Sequence, residues 1–373
     1  MKANIRRMQK VCTMKRIVYG IFMGSILCGL FSFSPASFAG KWEQKANMLV
    51  GRYALATSAV DGKIYAIGGQ DNSPQIRPPV EEYDPVADTW TEKGAIPVGR
   101  FQLAASTVGS KIYVIGGFDG LDAFARVDEY DPKTDTWTQK ADMPTPRLAL
   151  TTVVVGRRIY AIGGADPDFV PSGAVEVYDP ATDTWEQKAD MPNPRWNLAA
   201  AAVRNNIYVF GGCLGDTDRK GSKIVEEYNT LTDTWTQKAD LWLDINGISA
   251  SVVDNGKIYV FGGQKWAGKV GRDGGVKAVG KWTLYKTVAE YDRVKNQWTL
   301  VEQMPTERWG LGTSVVDGKI YAIGGWPRKI NWWVDRERTE EYTPSGWPFG
   351  TSVLSVSRPG NLATTWGRIK QSQ

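Results

Sequence analysis

Histidine is missing from all 373 residues. That absence removes the histidine general base, the Ser-His-Asp relay and every histidine-ligated metal centre. Acid–base chemistry would have to rest on the 40 carboxylates or the 45 lysines and arginines. Many of the carboxylates recur as Asp-Pro and Thr-Asp pairs at regular intervals, which marks turn chemistry rather than catalysis. Five arginines (Arg52, Arg100, Arg147, Arg195 and Arg308) recur too, each sixteen residues ahead of a glycine pair, with Asn246 at that count in the fifth unit. They read as structural groups bonding loop carbonyls, with an anion site facing a central channel as the alternative.

Two motifs come close to ligand sites and miss. Gly275 opens GVKAVGKW, one residue from a phosphate loop, but Trp282 replaces the Ser or Thr that would hold magnesium and no strand-to-helix turn is expected there. Asp216, Asp218, Gly221 and Glu227 fall at calcium-loop spacings, but Lys220 occupies a ligand position and Glu227 belongs to an expected strand. No metal and no cofactor is expected. Of three cysteines, Cys12 and Cys28 lie in the first 39 residues and Cys213 stands alone, so no intrachain disulfide is expected in the processed chain.

The stronger signal is a concentration of rings and charge. Of sixteen tryptophans, Trp242, Trp266, Trp282, Trp309, Trp326, Trp332 and Trp333 cluster outside any regular spacing. The same stretch holds an insertion from Gln264 to Thr287 that carries Lys265, Lys269, Arg272, Lys277, Lys281 and Lys286 against one acid, Asp273. Arg328, Lys329, Arg336 and Arg338 follow. Aromatic and arginine side chains are enriched at binding hot spots. The alternative is that the insertion folds on itself and buries its tryptophans locally.

These groups need a scaffold, and the sequence repeats one. Six glycine pairs (Gly68-Gly69, Gly116-Gly117, Gly163-Gly164, Gly211-Gly212, Gly262-Gly263 and Gly324-Gly325) each close an apolar run of the KIYAIGG type. Their spacing is 48, 47, 48, 51 and 62 residues. Each run is apolar at successive positions, as for a strand covered on both faces. A second strand of the VEEYDP type follows, then a turn, then a strand opening with Trp90, Trp137, Trp185, Trp235 or Trp298, then a small-residue strand such as LAASTV. Four strands per unit and a period near fifty predict a radial array. The block at Trp42 precedes the first glycine pair and has no counterpart after the last, so the N-terminal strand is expected to complete the sixth unit. The regularly spaced tryptophans are expected to fill the gaps between units, at about 3–5 kcal/mol each on truncation to alanine.

The glycine pair, the E-x-Y-D-P strand and the spaced tryptophan resemble the kelch repeat family over residues 41–344. The resemblance implies an all-β, six-bladed propeller of four-stranded blades. Family oxidases use copper held partly by histidine, so that branch is closed here. In peptide-binding members, ligand contacts come from the residue after the repeat arginine and the residue after the glycine pair. Matched motif by motif, the resemblance places the first set at Tyr53, Phe101, Leu148, Trp196, Gly247 and Trp309. The second set is Gln70, Phe118, Ala165, Cys213, Gln264 and Trp326.

Residues 1–39 read as an export leader: basic residues, an apolar run from Ile17 to Phe33, and Ser37-Phe38-Ala39 at the cleavage end. Their six basic residues account for the excess of positive charge, leaving 39 basic against 40 acidic residues and no case for nucleic-acid binding. The expected organisation is a leader (1–39), a propeller (40–344) and a tail (345–373). The expected product is a periplasmic or extracellular monomer without membrane insertion after leader cleavage. It reads as a non-enzymatic binding module for a protein segment or a glycan, with the basic insertion adding affinity for acidic partners, and the alternative is a carbohydrate enzyme like the exported kelch proteins that interconvert sialic acid forms.

Overall fold

The computed structural model describes residues 40–71, 79–215, 220–269, 279–327 and 336–345. Residues 1–39, the tail from 346 onward, Asp216, Asp218, Arg272, Lys277, Arg328, Lys329, Trp332 and Trp333 lie outside the described residues. Among those described, every regular element is a strand.

Six four-stranded antiparallel sheets form the blades. Blade 1 runs outward through Ala56–Val60, Lys63–Ile67, Val80–Asp84 and Thr89–Lys93. Blades 2 to 5 repeat the order over residues 104–140, 151–188, 199–237 and 249–300. Blade 6 takes its three inner strands from Gly312–Val316, Lys319–Ile323 and Thr339–Thr343, and its outermost strand from Lys41–Lys45. Trp42 pairs with Tyr342, so the first strand shuts the ring as its position ahead of the first glycine pair predicts. The innermost strands touch in cyclic order, blade 6 meeting both blade 5 and blade 1. Their small residues permit that approach, and hydroxyls bond between neighbouring blades: Ser58 to Thr107 at 2.7 Å, Ser106 to Thr152 at 2.8 Å and Ser314 to Thr57 at 3.0 Å.

The apolar second strands are buried on both faces because each is sandwiched between blades. Tyr65 and Ile67 of blade 1, for example, pack with Ile112, Val114 and Tyr130 of blade 2. Each repeat tryptophan seals a seam. The indole N–H of Trp185 donates to Ala141 O of the preceding blade at 3.0 Å, and those of Trp90, Trp137, Trp235, Trp298 and Trp42 do the same to Ala46, Gly94, Ala189, Ala239 and Glu302. The turn carboxylates finish the seam. Asp183, in the left-handed region at φ 56°, accepts from its own blade's Tyr178 hydroxyl at 2.5 Å and from the Ala141 amide of the preceding blade at 2.9 Å. Recurrent Thr-Asp pairs are thus inter-blade fasteners.

The repeat arginines are buried and do not form a channel-facing anion site. Arg147 donates to Gly163 O at 2.5 Å and to the Glu176 carboxylate at 2.7 Å. Arg52, Arg100, Arg195 and Arg308 pair in the same way with Glu81, Asp128, Glu226 and Glu340. Burial pushes the guanidinium pKa of Arg52, Arg100, Arg147 and Arg195 down, and the facing carboxylate opposes that shift. The glycine pairs are needed for both conformation and space. Gly163 and Gly164 have φ of 61° and 99°, and a Cβ on Gly163 would sit 2.7 Å from Arg195 O.

Blade 5 corrects the count by residues. The second glycine of each pair donates to the carbonyl of the next blade's arginine: Gly164 to Arg195 O, Gly263 to Arg308 O. In blade 4 the acceptor is Ile245 O, so Ile245, and not Asn246, occupies the arginine position of blade 5. Its carboxylate partner is also gone, because Ala289 stands in the strand where other blades carry Glu or Asp. One extra residue in the turn between the innermost and second strands of blade 5, where Val252 pairs with Ile258 as Ala202 pairs with Ile207 in blade 4, accounts for the shift.

Candidate functional site

The two residue sets meet. Each post-arginine residue forms an antiparallel bridge with the residue after its own blade's glycine pair: Tyr53 with Gln70, Phe101 with Phe118, Leu148 with Ala165, Trp196 with Cys213, and Trp309 with Trp326. The sixth bridge is Asn246 with Gln264, and Gly247, which counting places in the first set, lies one position further on.

That next position builds a floor. Ala54, Gln102, Ala149, Asn197, Gly247 and Gly310 all have φ between 51° and 63°. Each amide donates to the carbonyl of its counterpart in the preceding blade, at 2.8–3.0 Å, from Ala54 to Gly310 and round to Gln102 to Ala54. The circuit closes, so these six peptide groups are already paired with one another.

Above the floor lies a cavity of about 460 Å³. Phe101, Phe118, Phe169, Trp196, Trp282, Trp309 and Trp326 supply its rings, Gln102, Asn197, Asn246 and Gln264 its amides, and Leu284 and Cys213 complete the lining. A pocket of this size with rings and a few convergent polar groups is the expected form of a small-ligand site. Tyr53 stands beside it, its ring 4.8 Å from Trp326 and 5.5 Å from Trp309, its hydroxyl donating to Gln70. Arg336 stacks on Trp326, its guanidinium 3.8 Å from the ring centroid. Burial pushes its pKa down, and its Nε and Nη1 have no hydrogen-bond partner.

Of the eight ring-face residues read from the sequence, Phe101, Phe118, Trp196, Trp309, Gln264 and Trp326 line the cavity together. Tyr53 and Gln70 sit at its side. The insertion forms a hairpin, Gln264–Lys269 with Val279–Leu284. Trp266 and Trp282 pack against each other at 4.8 Å, so the insertion does fold on itself, and Trp282 and Leu284 still reach the cavity. Successive residues of a strand face opposite ways. Gln264, Trp282 and Leu284 therefore turn to the cup while Lys265 and Lys281 do not; Lys265 pairs with Asp244 at 3.4 Å and Lys281 is exposed. The side chain of Lys269 and residues Arg272 and Lys277 are not among those described. Glu227 lies in a strand, bonded by Asn206 at 2.5 Å and paired with Lys238, away from calcium-loop geometry.

Sequence reasoning missed Phe169, which closes blade 3's side of the cup by packing on Phe118 and Trp196. It also missed the amides Gln102 and Asn197. The signal for the amides was available at the second residue after each repeat arginine; that for Phe169 was not, because its loop position has no counterpart elsewhere.

Fold and site together define a closed six-bladed propeller with an aromatic cup at one end. Residues 25–212 and 140–325 match the model of the KLHDC2/KLHL20/DRC7 Kelch-repeats domain. The chain belongs to the kelch-repeat family. A solved structure titled "Structure of YjhT" superposes with a TM-score of 0.67 at 16% identity, covering 80% of this chain and 96% of that one. At that identity the likeness is one of fold. No curated protein sequence matches.

Proposed function

We propose that the protein is an exported binding module without chemistry of its own, which captures a protein segment or a glycan in the aromatic cup. The observation that carries this reading is the convergence of four of the six bridged residue pairs on one cavity whose described lining contains seven aromatic side chains and no carboxylate, lysine, arginine or tyrosine, its one titratable side chain being the buried thiol of Cys213. General acid–base catalysis needs a titratable group within hydrogen-bond reach of the substrate. Rings held on short loops over a rigid floor instead supply contact area at little entropic cost. The turn carboxylates and repeat arginines, which could have served an enzyme, are committed to seams and buried pairs.

Titration with peptide and glycan libraries, read by tryptophan fluorescence, tests the reading. A ligand of the cup quenches fluorescence saturably, and Trp309→Ala and Trp326→Ala weaken it at least tenfold, as loss of a hot-spot ring does. A ligand indifferent to both variants moves the site elsewhere. Export is tested by the N-terminus of the mature protein, expected at Gly40.

A further inference from the structure

We infer that the cup is shaped for an uncharged, hydroxyl-rich ring, a neutral sugar; this deepens the proposed function and rests on the cup being the binding site. The floor carries the argument. Its six peptide groups are spent on the closed circuit, so polar recognition must come from side chains. Two of these are left with unmet bonds. Asn246 is fully buried; its Oδ1 accepts from Gln264 Nε2 at 3.2 Å, but its Nδ2 has no partner. Gln102 Oε1, in blade 2, is likewise buried and unpaired. A buried polar atom without a partner is costly, and a ligand that pairs it recovers that cost.

One group is a donor and the other an acceptor, and a sugar hydroxyl can answer either. The rings answer the rest, because the negative face of an aromatic ring attracts the weakly positive C–H groups on the flat side of a pyranose. Charged ligands fit poorly. A carboxylate can only accept, and it would lose its water in a cup whose described lining holds no cation. Arg336 stacks on Trp326 and is not part of that lining. A free peptide terminus meets the same penalty, and an extended peptide lacks an edge to pair with, since the loop backbones are already bridged.

The test is a fluorescence titration of the protein with cellobiose, maltose and diacetylchitobiose, against sialyllactose, glucuronic-acid disaccharides, and aromatic peptides with free and amidated ends. The inference expects saturable quenching by at least one neutral disaccharide, with affinity changing less than about twofold between low and high salt. The acidic sugars bind at least about tenfold more weakly, and Asn246→Leu and Gln102→Leu each cost about tenfold, the worth of one hydrogen bond. Gln102 is only half-buried, so its variant keeps the test open if Asn246→Leu does not fold; melting curves decide that. Acidic sugars binding as well as neutral ones, or neither amide variant changing affinity, overturns the inference. Peptides alone binding, with loss in Trp309→Ala, overturns it while leaving the binding module intact. No quenching by any probe counts against both.

Discussion

Blades 3 and 5 do the same structural job with different chemistry. Blade 3 buries a guanidinium against a carboxylate, Arg147 with Glu176, and fastens its seam with an ionised turn residue, Asp183. Blade 5 has Ile245 and Ala289 at the paired positions, and the neutral Asn296 takes the turn: it accepts from Tyr291 at 2.6 Å and from the Ala239 amide at 2.8 Å. Both blades have the same four-stranded form. The difference teaches that the buried ion pair is dispensable when both halves go together, because a buried charge is expensive chiefly when it is left alone. It also frees blade 5 for the cup. Blade 3 presents the apolar pair Leu148 and Ala165, whereas blade 5 presents Asn246, Gln264 and the hairpin rings.

Breaking one half of the pair sharpens this contrast most. Arg147→Ile alone should cost about 3–5 kcal/mol in chemical denaturation, by stranding Glu176. Arg147→Ile with Glu176→Ala should recover most of that loss, making blade 3 resemble blade 5. If the double variant is as unstable as the single one, blade 5 owes its stability to something else. Ile245→Arg should show the converse, a large loss that Ala289→Glu relieves.

Gly163→Ala comes next. The left-handed φ and the Arg195 carbonyl 2.7 Å from the new Cβ should destabilise the protein by at least about 1–3 kcal/mol, read from the same denaturation curves. Trp185→Phe keeps an aromatic ring in the seam but removes the bond to Ala141 O together with part of the indole's packing, which should cost about 1–2 kcal/mol, no more than the loss at Gly163.

The smallest effect distinguishes the two fasteners by pH. Hydrogen bonds from the Tyr178 hydroxyl and the Ala141 amide hold Asp183 below the usual carboxylate range, and Tyr228 and Ala189 do the same for Asp233. A depressed folded pKa adds stability above the unfolded value, about 3.9, which is lost as pH falls through the folded value. Melting temperature should therefore drop below about pH 4, and Asp183→Asn with Asp233→Asn, copying Asn296, should flatten that limb while leaving stability near pH 7 little changed. An unchanged acid limb would remove these carboxylates as its cause.

Much of this was legible from residue pattern. The glycine pairs, doubly buried strands and offset Trp42 specify six blades and their closure, because each depends on local geometry repeated at a fixed interval. The ring positions were legible through motif matching in five blades. Blade 5 defeated counting because one extra residue in its inner hairpin turn lengthens the interval back from the glycine pair, and the hydrogen bond from Gly212 to Ile245 O reveals the true register. The basic insertion misled in another way: composition records lysines but not the alternation that turns Lys265 and Lys281 away from the cup.

By itself, then, the amino-acid order determined the blade, its number and the seam chemistry, since these arise from contacts that each repeat makes with an identical neighbour. The cup was decided by tertiary structure alone. Its rings and amides come from single positions in different blades, most of them at motif positions that counting can find, but they become one site only where the closed floor circuit brings the loops onto a common axis.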